Sequence, residues 1–287
     1  MNRFEYCEPA TFDDTFSLLR RYNGLASVLA GGTDLLVEIK EHLRRPEYII
    51  NIKKIPGMRH LHFSDACGLR FGSLVTAREI ETSPVVQRMY PGLLQAVREL
   101  GSIQIRNRAT VAGNVCRASP SADTLPPLIA GGAALTIRGP ASERVVALEE
   151  FFTGPGQTVL RSDELVTEIL VPPPPPHTGG VYIKHGRRRA MELATVGVAV
   201  SLTLDGEICS HVRIVLGAVA PTPVRAKAAE LALVGQTLED RLIRVAANDA
   251  MTEARPISDV RGSGEYRREM VRVLTERALK QAAELAR

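Results

Sequence analysis

GSIQIRNRATVAGNVCRASPSAD, residues 101–123, is nearly all small or polar and lies between two apolar runs, residues 93–100 and 125–130. It reads as a loop. Val111-Ala112-Gly113-Asn114 has so little side-chain bulk that backbone N–H groups there can come close to a ligand. Thr110, Asn114, Ser119, Ser121 and Asp123 add hydroxyl, amide and carboxylate hydrogen-bonding groups. Such a loop suits a ligand that carries phosphates and a sugar. Taken alone it is more often an ordinary surface loop, because glycine-rich patterns recur widely.

A second stretch changes the balance. Residues 27–30 (Ser-Val-Leu-Ala) read as a short buried strand, Gly31-Gly32 as a tight turn, and Thr33 or Asp34 as the N-cap of a helix. That helix, residues 33–43, carries Leu35, Leu36, Ile39 and Leu43 at helical spacing and stops before Pro46. A strand at residues 48–52 completes a βαβ unit, which predicts parallel sheet with helices in the first layer. Strand, glycine turn and helix N-terminus together present free N–H groups and form an anion site. The spacing is not the G-x-G-x-x-G of a nucleotide-binding doubly wound sheet, and the Lys of a phosphate-binding P-loop is missing. Neither of those folds is expected.

The segment AGGTDLL, residues 30–36, together with residues 105–123, resembles the FAD-binding medium subunits of molybdenum hydroxylases. That family includes carbon monoxide dehydrogenase, nicotinate and isoquinoline-type dehydrogenases, and the flavin domain of xanthine dehydrogenase. The resemblance continues through Leu148-Glu149-Glu150-Phe151-Phe152-Thr153-Gly154, residues 164–172, Tyr182-Ile183-Lys184 and residues 193–199, in the family's order. It implies an α+β fold. A two-part FAD-binding domain of the vanillyl-alcohol-oxidase/PCMH-like kind would span residues 1–175, with subdomains 1–57 and 58–175. A carbon monoxide dehydrogenase flavoprotein C-terminal-like domain, a small antiparallel sheet with a helix bundle, would span residues 177–287.

The same resemblance implies a site. FAD would be held noncovalently, its pyrophosphate between Ala30-Gly31-Gly32-Thr33-Asp34 and Thr110-Val111-Ala112-Gly113-Asn114. Leu29, Leu35, Leu36, Leu100, Asp123, Val166 and Lys184 complete the implied cofactor-binding set, with Lys184 as a cation able to stabilise negative charge on reduced flavin. Ala112 stands where a second glycine is usual in the family, and alanine disfavours positive φ, which leaves the path of the loop open. Some family members carry a cysteine-bearing insertion for an iron–sulfur cluster within this subunit. The four cysteines here form no such set. FAD is therefore the one cofactor expected on this chain. Molybdopterin and 2Fe–2S clusters are expected on a large and a small partner subunit, in a dimer of heterotrimers that delivers electrons to an acceptor such as NAD or quinone.

Bulk properties agree with a globular enzyme component. The 287 residues are enough for two domains with separate cores, and the 45% apolar and 24% charged content is ordinary. A net charge of +4, dispersed along the chain, gives no reason to expect nucleic acid as a partner. Arg187-Arg188-Arg189 is read as a solvated turn, with a docking patch as the alternative. Cys7, Cys67, Cys116 and Cys209 have no C-x-x-C spacing and suggest free thiols in a reducing compartment; Cys116, inside the glycine-rich stretch, is read as a small filler. The N-terminal residues do not form a signal peptide, and no apolar run approaches the ~20 residues of a membrane span. A cytoplasmic location is expected.

The remaining elements follow from local signals. Thr11 is expected to cap a helix with Phe12, Phe16 and Leu19 inward, ended by Asn23-Gly24. Residues 69–71 read as a strand, Thr76 and Glu79 have capping-box spacing, and Pro84 begins the next helix. Residues 83–90 and 92–100 are expected helical, then a short helix at 124–130 and strands at 133–137, 144–147 and 164–171. Five prolines, residues 172–176, read as a semi-rigid spacer at the domain boundary. Beyond them a three-stranded antiparallel sheet is expected (181–184, 195–204 and 207–219, turning at Asp205-Gly206), followed by helices at 225–233, 239–252 and 266–285.

No acid/base, nucleophile or metal motif stands out: His42, His60, His62, His177, His185 and His211 lack ligand spacing, and no Ser–His–Asp or Cys–His pattern is local. The cofactor would supply the redox chemistry and the protein would bind, orient and tune it. Two other readings stay open at this level. One is a free-standing FAD oxidase or reductase with its own organic substrate, and the other a nucleotide-binding scaffold without redox activity.

Overall fold

The computed structural model describes residues 3–188 and 190–287. The chain opens with β1 (Glu5–Cys7), α1 (Phe12–Arg21), β2 (Ala26–Leu29), α2 (Leu35–Lys40) and β3 (Tyr48–Asn51). β3 is the central strand, parallel to both neighbours, as the βαβ reading requires; β1 is an addition that three residues were too few to announce. The Thr11 hydroxyl accepts from the Asp14 amide at 3.1 Å and fixes the start of α1, whose Phe16 and Leu19 turn inward. α2 is shorter than the expected 33–43. Leu35 and Ile39 are buried and Leu36 is 43% exposed; the backbone turns after Glu41 with His42 at φ +60°, and Leu43 beyond it is 75% exposed. The apolar spacing was longer than the face that the sheet can cover.

A second layer begins with β4 (Leu61–Ser64) and β5 (Gly68–Gly72) and continues through α3 (Ala77–Thr82), α4 (Pro84–Met89) and α5 (Pro91–Glu99). Then come α6 (Ile103–Arg106), α7 (Val111–Arg117), α8 (Leu125–Ala130), β6 (Ala134–Arg138), β7 (Glu143–Ala147), β8 (Phe152–Gly154), β9 (Gln157–Thr158) and β10 (Leu165–Val171). Five of these strands form an antiparallel sheet in the order β4-β5-β10-β6-β7. Leu69, Phe71, Leu135, Ile137 and Ile169 share a fully buried core with Leu93, Val97, Leu125 and Leu128 of α5 and α8. The capping box forms as spaced: the Thr76 hydroxyl accepts from the Glu79 amide at 3.2 Å, and the Glu79 carboxylate accepts from the Thr76 amide at 2.8 Å.

Residues 101–123, expected as a loop, contain α6 and α7. Each is started by a side-chain cap, Ser102 accepting from Ile105 N–H at 3.3 Å and Thr110 from Gly113 N–H at 3.0 Å. Ala112 lies inside α7 and is not among the residues at positive φ, so alanine in place of glycine leaves the backbone path unstrained.

The last section holds β11 (Thr178–His185), β12 (Val196–Asp205), β13 (Ile208–Gly217) and β14 (Val224–Arg225), with α9 (Lys227–Leu233), α10 (Asp240–Glu253) and α11 (Gly264–Ala286). The sheet has four antiparallel strands instead of three, the fourth being a two-residue pairing of β14 with β13. Its two faces serve different cores. Val198, Val200, Leu202 and Ile214 pack with the helices, whereas Tyr182, Ala199 and Val215 join the core of the five-stranded sheet. α11 lies so close to β11 that a side chain at Gly179 would strike the Ala282 carbonyl. The prolines are not a free spacer: a side chain at Gly68 would strike the Val171 carbonyl and meet Pro172 and Pro173 at 2.7 Å, so the run lies against β5.

Phe71 is completely buried in the largest core. Phe71→Ala is expected to lower unfolding stability by about 3–5 kcal/mol through lost burial and the cavity it leaves, read as a lower urea midpoint.

Candidate functional site

The two glycine-bearing stretches meet in space. A side chain at Gly31 would overlap the Arg108 carbonyl and lie 3.0 Å from both Ala109 Cα and Thr110 N, so the turn after β2 rests directly on the backbone that leads into α7. Gly32 sits at φ +79°, where L side chains are strained, and a Cβ there would come 2.7 Å from the Leu29 side chain. Thr33 is half-buried and Asp34 exposed. Asp34 occupies the N-cap position of α2, yet its carboxylate makes no capping bond. Among the described residues, the amides of Gly31, Gly32, Thr33 and Asp34 donate to no acceptor within the chain. Leu29 and Leu35 are buried with Ile39 and Ile49 beneath this turn, while Leu36 is on the outside.

Across from it, the start of α7 is held by Val111 N–H donating to the Val75 carbonyl at 3.3 Å and by the Thr110 cap. The amides of Thr110 and Ala112 have no acceptor among the described residues. Thr124 donates its hydroxyl proton to Asn114 Oδ1 at 2.6 Å, which fixes the amide group and leaves its NH2 available. Ala118 at φ +50° reverses the chain after α7 and brings residues 119–123 back toward the C-terminal sheet, where Pro120 accepts from Ala218 N–H at 2.8 Å. Ser119 is spent in this turn, accepting from Ser121 N–H at 3.4 Å. Cys116 packs on the main core, and burial pushes its thiol up to about 12. That fits a filler and not a nucleophile. With six and seven residues, α2 and α7 act through their first amides and not through a summed dipole.

Asp123 and Lys184 form the third part. Lys184 Nζ donates to Asp123 Oδ2 at 2.9 Å and to the Glu99 carbonyl at 3.2 Å, and Tyr182 Oη donates to Asp123 Oδ1 at 2.8 Å. The lysine side chain is only 6% exposed. In the structure the Lys184 ammonium is ion-paired with Asp123. Burial pushes the Asp123 carboxyl up to about 6 even though Lys184 and Tyr182 pull it down; Tyr182 itself is driven well above its usual range by burial and by the neighbouring carboxylate. Gly197, paired with Lys184 across the strands, makes room for the ring, since a Cβ there would come 2.8 Å from Tyr182 Oη. Leu100 is buried at the end of α5 beside Glu99, and Val166 shares the core that also holds Val111 and Ala112.

Tyr182, Thr124 and the Glu99 carbonyl were not anticipated. Tyr182 had a usable signal, because strand alternation places it on the same face as Lys184 two residues on. The histidines lie elsewhere: His60 binds Glu168 at 2.8 Å and His185 binds Tyr266 at 2.8 Å. Of Arg187-Arg188-Arg189, Arg189 falls outside the described residues, and Arg187 and Arg188 both pair with Glu192, at 3.7 and 3.3 Å. Among the described residues no group of three or more His, Cys, Asp or Glu is placed to hold a metal, and no helix is long and apolar enough to cross a membrane.

Two family descriptions cover the chain in order: the FAD binding domain in molybdopterin dehydrogenase matches residues 2–174, and the CO dehydrogenase flavoprotein C-terminal domain matches residues 181–282. The chain belongs to the family of FAD-binding subunits of molybdopterin-dependent dehydrogenases. It is 32% identical over 280 residues to the carbon monoxide dehydrogenase medium chain of Hydrogenophaga pseudoflava, covering 98% of this chain and 97% of that one. It is likewise 32% identical to the xanthine dehydrogenase FAD-binding subunit of Escherichia coli O157:H7, over 98% and 96% of the two chains. The fold superposes on a solved structure of the Hydrogenophaga carbon monoxide dehydrogenase lacking the Mo-pyranopterin moiety with a TM-score of 0.96, at 34% identity, over 99% of this chain and 98% of that one.

Asp123 carries a pH signature. Its folded value, about 6, lies above the ordinary 3.8, so the folded state binds the extra proton between these two values. Its contribution to stability is therefore greatest below about pH 4 and is lost as pH rises through 6, a fall of about 2–3 kcal/mol. In urea unfolding at a series of pH values, the stability of wild type relative to Asp123→Asn is expected to decrease between about pH 4 and 6.

Proposed function

We propose that this chain binds one FAD noncovalently and relays electrons through it, from iron–sulfur clusters on a partner subunit to an external acceptor. The observation that carries the reading is the contact of Gly31 with the Arg108–Thr110 backbone, which joins two motif stretches far apart in sequence into one cradle of amides without internal acceptors. Pyrophosphate oxygens fit such a donor set, which needs close backbone approach and no lysine. In this reading Ala30, Gly31, Gly32, Thr33 and Asp34 hold one side of the pyrophosphate and Thr110, Val111, Ala112, Gly113 and Asn114 the other. Leu29, Leu35, Leu36, Leu100 and Val166 give apolar support. Asp123 and Lys184 act as a charge-neutral, hydrogen-bonded pair that orients the cofactor's polar edge.

When bound, FAD supplies the conversion between one-electron and two-electron transfer. The chain's own work is to position it. No acid/base group stands in a recognisable catalytic arrangement, so the substrate-oxidising step belongs to a partner. The relatives' designations as a medium chain and an FAD-binding subunit support a complex with a small iron–sulfur subunit and a large molybdopterin-binding subunit, which we assign as a dimer of heterotrimers. NAD or a quinone is the acceptor class and the cytoplasm the location. We place the FAD-binding domain at residues 1–175 (1–57 and 58–175) and the second domain at residues 177–287, on either side of the prolines.

Two experiments bear on this. Gly31 is not at positive φ, so Gly31→Ala tests the loop contact without backbone strain; displacing packed backbone by this methyl is expected to cost about 1–3 kcal/mol, roughly five- to 150-fold in FAD affinity. Acid-released flavin per chain measures it, and full retention in a folded variant would put the pyrophosphate elsewhere. In the second, a panel of N-heterocycles, aldehydes and carbon monoxide is offered to the isolated flavoprotein and to the co-expressed assembly. Bleaching of the flavin is expected in the assembly alone, and turnover by the isolated chain would make it a free-standing flavin enzyme.

A further inference from the structure

Away from the amide cradle, a cavity of about 290 Å³ opens between the proline run, α8 and the far end of the C-terminal sheet. It lies near the lower limit of small-ligand pockets, which run from ~300 Å³ upward. Its walls are mostly apolar, with Met89 and Leu128 on one side and the prolines from Pro172 to Pro175 on another. Polar groups enter from the sheet: Thr178, Thr203, His211 and Arg213. The two threonine hydroxyls satisfy each other at 2.7 Å. Arg213 has no such partner.

Arg213 is half-buried, and other buried or half-buried arginines have carboxylate partners, although Arg261 and Arg267 share its partnerless Nε. Arg225 pairs with Glu149 and Glu230, and Arg267 with Asp259. Arg213 has no paired carboxylate among the described residues; Nη1 makes a long 3.5 Å approach to the Ile129 carbonyl, and Nε is buried without any hydrogen-bond partner. The guanidinium is seated in place. Gly132, at φ +73°, leaves the space it fills, because a Cβ there would come 2.6 Å from Nη1. His211 is held below its usual value by burial and by Arg213, so it stays neutral near pH 7 and does not add a second charge. A fixed cation without a carboxylate partner, lining a cavity with proline and hydrocarbon walls, matches an organic anion that carries a ring. The carboxylate would take the Nη groups and the ring would lie against proline faces.

We propose that this cavity is a binding site for a small planar organic carboxylate, with Arg213 as the anchoring group. The site is separate from the FAD cradle, and the proposal does not depend on the redox role. The probe is benzoate, titrated calorimetrically into the full-length FAD-loaded protein, with benzamide as its neutral counterpart and inorganic phosphate as an anion without a ring. Wild type is expected to bind benzoate at least ~10-fold more tightly than benzamide or phosphate, the difference a charged fork makes. Arg213→Gln should lose that preference at unchanged flavin content, and Arg213→Lys should retain only part of it. Equal binding of benzoate and benzamide, benzoate binding unaltered in Arg213→Gln, or release of FAD by benzoate would each overturn the assignment. If Arg213→Gln does not fold, the wild-type comparison of the three probes decides.

Discussion

Much of this molecule depends on the missing side chain at residue 31. The core under the three-stranded parallel unit reaches Leu74 and Leu165 of the next layer, and the place where the turn after β2 meets the lead into α7 admits nothing larger than hydrogen. Beside that contact lie the amides of Gly31 to Asp34, Thr110 and Ala112, which have no acceptor among the described residues. Buried or half-buried N–H groups without partners are unfavourable in a bare protein, by about 1–3 kcal/mol each when solvent is excluded. A fold that keeps several of them together is stabilised by whatever anion arrives, and so its stability and its binding are linked.

The Asp123–Lys184–Tyr182 group applies a second constraint, between sections of chain and not within one. Asp123 closes the excursion that begins at α6, whereas Lys184 and Tyr182 belong to β11. A buried ion pair gains little net energy over a well-packed apolar contact, but breaking it by removing one member is strongly unfavourable, about 3–5 kcal/mol. Its effect here is on geometry. The pair fixes how the C-terminal sheet faces the start of α8, and the shared core of Tyr182, Ala199 and Val215 sets the distance.

How much of this was legible in the sequence follows the range of the interactions. Thr11, the Thr76/Glu79 box and Pro84 act within three or four residues, and the helices they start are where the pattern put them. The parallel unit was legible for the same reason. α7 was not, because Gly113 and Asn114 are weak helix formers and seven residues cannot hold a helix without the Thr110 cap and the core under Val111 and Val115. The spacing that extended α2 to Leu43 was a periodicity without a surface to cover it. The site's two amide rows could be named from motifs, yet their contact could not. The neutralisation of Lys184 by a residue sixty-one positions earlier left no local trace.

The strand order β4-β5-β10-β6-β7 has a consequence for the time at which the sheet becomes complete. Its middle strand is the last to be synthesised. Two hairpins, β4–β5 and β6–β7, are made first, each with one unpaired edge that carries buried residues, Leu69 and Phe71 on one and Leu135 and Ile137 on the other. From residue 72 to residue 165, at about 5–20 residues per second, the ribosome takes roughly 5–20 s, during which the first edge waits for its neighbour. Until β10 slides between them, the nascent chain presents two adhesive strands to the crowded interior of the cell, and it is in that interval that it is most exposed to aggregation.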